Sequence, residues 1–131
     1  MERQIVNPWT WQDARGFVQA NVLTGAEKLV FCAGQVSVDA EGNPLHAGDM
    51  AGQIAQTLDN LETVLQSAGL GLGDVVRLTY FVTDLQAFGE ARGVLAERLR
   101  SVGCRPAATL LHISGLAFPG LMIEIEATAA G

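Results

Sequence analysis

Two apolar stripes at helical spacing restrict this 131-residue chain to a small set of folds. The first stripe follows Asp49 and ends at Gly69, and the second follows Asp84 and ends at Gly103, so each has a candidate N-cap and a C-terminal glycine. The stripes consist of Met50, Ile54, Leu58, Leu61, Leu65 and Ala68, and of Leu85, Phe88, Ala91, Leu95, Leu99 and Val102. This spacing predicts two amphipathic helices.

Short β-prone runs surround the two predicted helices. They are residues 17–20 and 29–33 before the first helix, 75–83 between the helices, and 107–113 and 121–128 after the second. A strand–helix–strand unit requires a parallel crossover, and the last two runs are expected to form a hairpin around the loop 114–120. The order predicts an α+β fold in a single domain, 1–131, with two helices packed on one face of a mixed β-sheet.

The other face of this sheet has no helix to cover it. Hydrophobic residues make up 49% of the chain, which leaves apolar area beyond the needs of one core. Large exposed apolar surfaces mark contacts between proteins. The pattern therefore predicts an oligomer in which neighbouring subunits cover the open face.

The charge balance excludes several classes of partner. The formal net charge is -6 with only 8 Lys and Arg residues and no basic run, which disfavours nucleic acid and anionic membranes.

The N-terminus lacks the apolar segment of a signal peptide, and no apolar run is long enough to span a membrane. Cys32 and Cys104 lie outside any CxxC motif and no metal-ligand spacing is present, so we expect a cytoplasmic protein with reduced thiols and no metal or other cofactor.

Two carboxylates are the main candidates for chemistry. Within residues 121–128 the side chains alternate, so that Glu124 and Glu126 share one face and Leu121, Ile123, Ile125 and Ala127 the other. A carboxylate beside apolar residues is costly unless it is paired, and in a cleft it can orient or deprotonate a water molecule. The alternative is a solvated sheet face, or ion pairs with arginines of a neighbour.

Other polar residues carry weaker signals. His112 shares a strand face with Ala108 and Leu110, and a lone histidine of this kind usually makes an ordinary hydrogen bond. Cys104 precedes Arg105, which would favour a thiolate, but a surface thiol at the helix exit is the preferred interpretation. The glycines at 69, 71 and 73 predict a turn, and the sequence leaves open whether Trp9 and Trp11 cover a neighbour or a cleft.

Several motifs occur together in an order that points to one family. They are LVFCAGQVSV at 29–38, DVVRLTYFVTDL at 74–85, RPAAT at 105–109 and IEIEATA at 123–129. In this combination the chain resembles the RidA (YjgF) family. The resemblance implies a chorismate-mutase-like fold and a homotrimer with clefts between subunits. It also implies hydrolysis of reactive enamines and imines to ketoacids and ammonia. Older names call some relatives endoribonucleases, for which the acidic balance gives little support.

The family's cleft residues map unevenly onto this chain. The resemblance implies that Glu124 orients the attacking water and that the backbone of Gly34 contacts substrate. Phe17 stands where the family has a tyrosine, and Ala33 where it has a serine. Ala108 stands in place of the arginine that clamps the substrate carboxylate through two hydrogen bonds.

These losses predict a less polar or differently charged ligand. The candidate replacements for the missing arginine are Arg92, Arg105 and His112, with Leu110 lining the same strand face. The first functional hypothesis is a RidA-like trimer whose clefts act on a small imine, enamine or carbonyl metabolite. The alternative is a trimer that binds a small molecule, or is regulated by it, without catalysis.

Overall fold

The computed structural model describes residues 1–131 and contains six strands and two long helices. The strands are β1 (Glu2–Val6), β2 (Ala20–Thr24), β3 (Leu29–Val36), β4 (Val75–Val82), β5 (Ala107–His112) and β6 (Ile123–Ala130). The helices are α1 (Met50–Ser67) and α2 (Leu85–Ser101), and short 3₁₀ turns occupy Asp13–Arg15 and Leu72–Asp74. No helix is both long and apolar enough to cross a membrane.

The main sheet has four strands in the order β3-β6-β4-β5. β6 is antiparallel to both β3 and β4, whereas β4 and β5 are parallel and joined through α2. The buried stripes of α1 and α2 and the buried residues of the sheet form one core cluster. The predicted α+β fold, a mixed sheet with two helices on one face, is therefore confirmed.

Two predictions about the strands are wrong. β5 and β6 do not form a hairpin, because the crossover places β5 beside β4 and leaves the other edge of β4 to β6. Residues 17–20 are not a strand, since Val18 makes only an isolated bridge to Ala107. The strand begins at Ala20 and pairs with β1, whose short, largely polar sequence gave no β signal.

Both helices begin at the predicted caps. The Asp49 carboxylate accepts a hydrogen bond from the Gly52 backbone N–H at 3.1 Å, and Asp84 accepts one from the Ala87 N–H at 2.9 Å. Gly69 and Gly103 follow the helices with positive φ angles of 82° and 65°, as expected for glycines that reverse the chain.

The two faces of the sheet differ sharply. The helix-facing side of β6 is formed by Ile123, Ile125, Ala127 and Ala129, all buried. The opposite side, here called the open face, is covered by no helix. By register it carries Phe31, Arg77, Thr79, Phe81, Thr109, Leu111, Glu124, Glu126 and Thr128. Phe31 is 75% exposed, so this face presents apolar surface to solvent in the single chain.

One buried amide ties the start of β6 to α1. The Gln53 Nε2 donates to the carbonyl oxygens of His46 at 2.9 Å and Gly120 at 2.7 Å. Its Oε1 accepts from the Met122 backbone N–H at 2.7 Å. Gln53 is fully buried, so these bonds are shielded from water. They fix the residue that immediately precedes β6.

Candidate functional site

Glu124 meets Gly34 at a bulge in β3. The register between β3 and β6 shifts between Cys32 and Gln35, so β3 carries one extra residue there. A Cβ atom built on Gly34 would lie 2.6 Å from Oε2 of Glu124, closer than any side chain allows. The absence of a side chain at position 34 therefore makes room for the carboxylate.

The Glu124 carboxylate has no partner within the chain. Its side chain is half-buried on the open face, and no basic group lies within ion-pair distance of it. Glu126 is exposed, and Ala33 is exposed beside Gly34 in the bulge. This cluster, formed by Ala33, Gly34 and Glu124 and here called the carboxylate site, leaves one carboxylate available to a ligand or a water molecule.

A separate cavity lies on the helix side of the sheet. It has a volume of about 290 Å³ and is bounded by the segment Trp11–Phe17, by α2 and by strands β4 and β5. Four predicted binding residues line it: Phe17, Arg92, Ala108 and Leu110. The cavity, here called the aromatic cavity, also contains Trp11, Tyr80 and Phe88.

Aromatic and cationic side chains organise its entrance. The rings of Trp11 and Phe17 meet edge to face with centroids 5.7 Å apart. The Arg15 guanidinium lies 5.9 Å from the centroid of the Trp11 ring, a cation–π distance. Arg92 donates through Nη2 to the carbonyl oxygen of Arg15 at 2.6 Å, which ties the N-terminal segment to α2.

Tyr80 stands at the base of the aromatic cavity. Its side chain packs against Phe88 with ring centroids 5.9 Å apart and is only 7% exposed, yet its hydroxyl has no hydrogen-bond partner within the chain. Burial raises the pKa of this hydroxyl above its ordinary value, and the charge of Arg92 acts in the opposite direction. The hydroxyl is therefore a neutral, unused donor near Arg92.

The remaining predicted residues lie outside the aromatic cavity. Arg105 lines an adjoining open groove that also includes Arg15, Arg92 and Cys104. The carbonyl oxygen of Arg105 accepts hydrogen bonds from Arg3 at 3.0 Å and Asn21 at 3.1 Å. His112 is exposed at the end of β5, with Nε2 3.2 Å from the carbonyl oxygen of Thr83.

Cys104 is not the surface thiol that the sequence suggested. It is 6% exposed and its Sγ lies 3.8 Å from the carbonyl oxygen of Val75. The helix exit turns inward here, because the chain must descend from α2 to begin β5 beneath it. Burial raises the pKa of the thiol to about 11, so it is protonated and unreactive at neutral pH. Cys32 is also buried and unpaired.

The structure thus places the predicted residues in two groups. The carboxylate site lies on the open face, whereas Ala108 and Leu110 project to the helix side, in register with Leu78 and Tyr80. Within one chain the sheet separates them. Sequence reasoning missed Arg15, Tyr80 and Phe88 as cavity residues. Tyr80 alternates with Leu78 and Val82 and so could have been assigned to the helix side, but nothing in the sequence indicated an empty space beside it. No group of three or more His, Cys, Asp or Glu side chains is placed to hold a metal ion.

The fold and the carboxylate site define a class of small α+β proteins that comparison with known proteins identifies. Residues 12–131 match the model of the family described as Endoribonuclease L-PSP. The chain therefore belongs to this family, which includes the RidA (YjgF) proteins, as the motifs indicated.

Individual relatives agree with this assignment. A RutC family protein of Pyrococcus horikoshii is 33% identical over 104 residues, which are 79% of this chain and 80% of that protein. The 2-iminobutanoate/2-iminopropanoate deaminase of Escherichia coli strain K12 is 31% identical over 102 residues, which are 77% of this chain and 78% of that enzyme. The crystal structure of a Rid family protein of Yersinia pestis superposes with a TM-score of 0.84 at 33% identity, covering 100% of both chains.

Proposed function

We propose that this protein hydrolyses the C=N bond of a small imine, or of the enamine that tautomerises to it, in clefts between the subunits of a homotrimer. The observation that carries the proposal is the unpaired Glu124 carboxylate held against the bare α-carbon of Gly34. The 31% sequence identity with a relative that is named as an imine deaminase also supports it. Arg77 is the only basic side chain on the open face, and it donates to Thr109, which leaves Glu124 without a structural partner.

The chemistry needs only water and one carboxylate. Glu124 accepts a proton from a water molecule as the water oxygen bonds to the imine carbon. The proton passes to the nitrogen, and the resulting carbinolamine expels ammonia as the C=O bond forms. The balance is one imine and one water to one carbonyl compound and one ammonia. No redox step occurs, so the reaction itself requires no cofactor.

The separation of the two groups supports an oligomer, and the family resemblance supports a trimer. The aromatic cavity and the carboxylate site lie on opposite sides of one sheet, so a ligand can touch both only if a second subunit supplies one of them. The exposed Phe31 and Leu111 on the open face provide apolar area for that contact. Light scattering is expected to give the mass of three chains at micromolar concentration, and a monomer would remove the inter-subunit cleft.

The direct test is ammonia release from imines generated in place from a panel of amino acids by an amino-acid oxidase. Glu124→Gln is expected to reduce the rate by about 10²-fold or more, the usual scale for a lost acid–base group. Glu126→Gln, on the same face of the same strand, is the matched control and should retain most of the rate. Equal rates for wild type and Glu124→Gln would contradict the mechanism.

The alternative is a non-catalytic protein that binds or senses a small molecule. Ala33, Phe17 and Ala108 favour it, since each lacks the polar group that the resemblance leads us to expect. It is supported if ligands bind in the aromatic cavity and no imine releases ammonia above the uncatalysed rate. A cytoplasmic location fits either function.

A further inference from the structure

We infer that the aromatic cavity binds a carboxylate with a bulky apolar substituent, with Arg92 and the Tyr80 hydroxyl holding the carboxylate end. The inference rests on the proposed function only in assigning this cavity to the substrate; the binding itself requires no catalysis. The proposed cation and hydroxyl differ from the arginine and the tyrosine that the resemblance places at positions 108 and 17. The proposed ligand also carries a larger substituent.

The charges around the cavity are the first argument. The chain has a net charge of -6 and only 8 Lys and Arg residues. Three of these, Arg15, Arg92 and Arg105, border the cavity and its adjoining groove, and none has a carboxylate within ion-pair distance. Arg100 also borders the groove, but it is paired with Glu97, and the one carboxylate in the groove lining, Asp13, accepts a hydrogen bond from Gln12. An acidic protein that gathers unpaired guanidinium groups at one opening presents a site for an anion.

Tyr80 is the second, independent argument. Thr57 Oγ1 is the one buried side-chain polar atom without a partner, so the Tyr80 hydroxyl, although its ring is buried, is itself accessible from the cavity. Tyr80 lines the cavity and has no partner in the chain. Arg92 lines the same cavity as Tyr80. A carboxylate oxygen between Arg92 and Tyr80 would accept from both.

The rest of the cavity wall defines the substituent. Nine of its twelve lining residues are hydrophobic, and Ala108 leaves open the volume that a long side chain at that position would fill. Trp11 and Phe17, already edge to face, offer ring faces and edges for an aromatic group. A short substituent such as methyl would leave most of the cavity of about 290 Å³ in contact with water. The shape and chemistry therefore favour an aryl-substituted carboxylate, which under the proposed hydrolysis is a 2-imino acid with a 2-oxo acid as its product.

Calorimetry with three stable probes tests the assignment. Phenylpyruvate carries both the ring and the carboxylate, pyruvate lacks the ring, and phenylacetone lacks the carboxylate. Phenylpyruvate is expected to bind at least about 10-fold more tightly than either partial probe. If pyruvate binds as tightly as phenylpyruvate, the apolar part of the inference is wrong; if phenylacetone does, the anionic part is wrong.

Variants assign the contacts. Arg92→Gln should weaken phenylpyruvate about 10-fold or more and leave phenylacetone unchanged, since only the charge-assisted bond is lost. Arg98→Gln, on the same helix but lining neither the cavity nor the groove, is the matched control and should change neither. Because Arg92 also holds the carbonyl of Arg15, Tyr80→Phe gives a second measurement in a variant of the same shape. It should weaken phenylpyruvate about 5-fold, the equivalent of one hydrogen bond. Wild-type affinity in both variants would overturn the inference.

The outcome separates this inference from the proposed function. Phenylpyruvate binding without ammonia release from any imine would contradict the hydrolase and leave the ligand class standing. Ammonia release that is fastest with the imine of alanine and indifferent to Arg92→Gln would contradict the ligand class and leave the hydrolase standing.

Discussion

The carboxylate site and the aromatic cavity have diverged differently from the pattern that the family resemblance implies. The carboxylate site keeps Gly34 and Glu124, which the bulge in β3 holds together, and lacks only the serine hydroxyl at Ala33. In the aromatic cavity, Phe17 and Ala108 replace polar residues, while Tyr80, Arg15 and Arg92 supply polar groups at other positions. Under the proposed function, the difference predicts that bond cleavage and ligand choice depend on separate residues, so that one can change while the other is retained.

The largest expected effect concerns the carboxylate site. Gly34→Ala would place a Cβ 2.6 Å from Oε2 of Glu124, and the flexible carboxylate must move away. Displacement of a catalytic group by about 1 Å can cost about 10²-fold in rate. We expect a loss of kcat on this scale in the ammonia-release assay, with phenylpyruvate affinity unchanged. An equal loss of affinity would show that the two sites are not separate. Gly89→Ala, on the exposed surface of α2 with no atom within 4 Å of the added Cβ, is the matched control.

The next effect concerns Cys104, in the groove beside the aromatic cavity, and is measured at alkaline pH. The Cys104 thiol has a pKa raised by burial from 9.0 to about 11. Above pH 9 the unfolded chain therefore loses this proton before the folded chain does, and stability falls as pH rises towards 11. The loss should reach about 2 kcal/mol. Urea unfolding at pH 8 and pH 10.5 should show a smaller decrease in Cys104→Ala than in wild type. Equal decreases would mean that water reaches the thiol.

Ala108→Arg tests the aromatic cavity by restoring an arginine at the position where the resemblance leads us to expect one. Two charge-assisted hydrogen bonds to a small imino acid are worth roughly 1.5–3 kcal/mol each before the cost of ordering the side chain. We expect about a 10-fold rise in kcat/KM for the imine of alanine and a fall for the imine of phenylalanine, because the side chain fills the cavity. Ala107→Arg on the opposite side of β5 is the control. A gain for both substrates would contradict the steric part of the argument.

The smallest effect is expected where neither site is touched. Arg98 joins the two helices through Asp59 at 2.7 Å and Glu62 at 2.9 Å, and its side chain is 29% exposed. Water screens such a pair, so Arg98→Met should lower the free energy of unfolding by only about 0.5–1 kcal/mol. Turnover and ligand affinity should remain unchanged at 25 °C. A change in either would show that the packing of α1 against α2 shapes the cavity.

The sequence predicted the elements that have strong local signals. The two apolar stripes and their Asp caps defined α1 and α2, and the alternation in β6 placed Glu124 on the face opposite to Ile123 and Ile125. The pairing of β6 between β3 and β4 was missed, because strand order depends on contacts between residues far apart in the chain. β1 was missed because its residues become a strand only by pairing with β2.

The site was predictable only in part for the same reason. The motifs located Glu124, Gly34 and Ala108 in the sequence. They did not show that Glu124 and Gly34 lie on one side of the sheet and Ala108 on the other. The unpartnered Tyr80 hydroxyl and the burial of Cys104 depend on how α2 closes over β4 and β5. The periodicity of a sequence predicts which side chains face the core, but not the size of the space that remains between two packed elements.

The three hydrogen bonds of Gln53 have a consequence for engineering this protein. A strand that slips by one residue turns every side chain to the opposite face, which would direct Glu124 into the core. Gln53 lies on α1, remote from the aromatic cavity, and accepts a hydrogen bond from the backbone N–H of Met122. This bond fixes the register of β6 independently of what the cavity contains. Libraries that vary the cavity lining can therefore be screened for new ligands while the geometry around Glu124 is inherited unchanged.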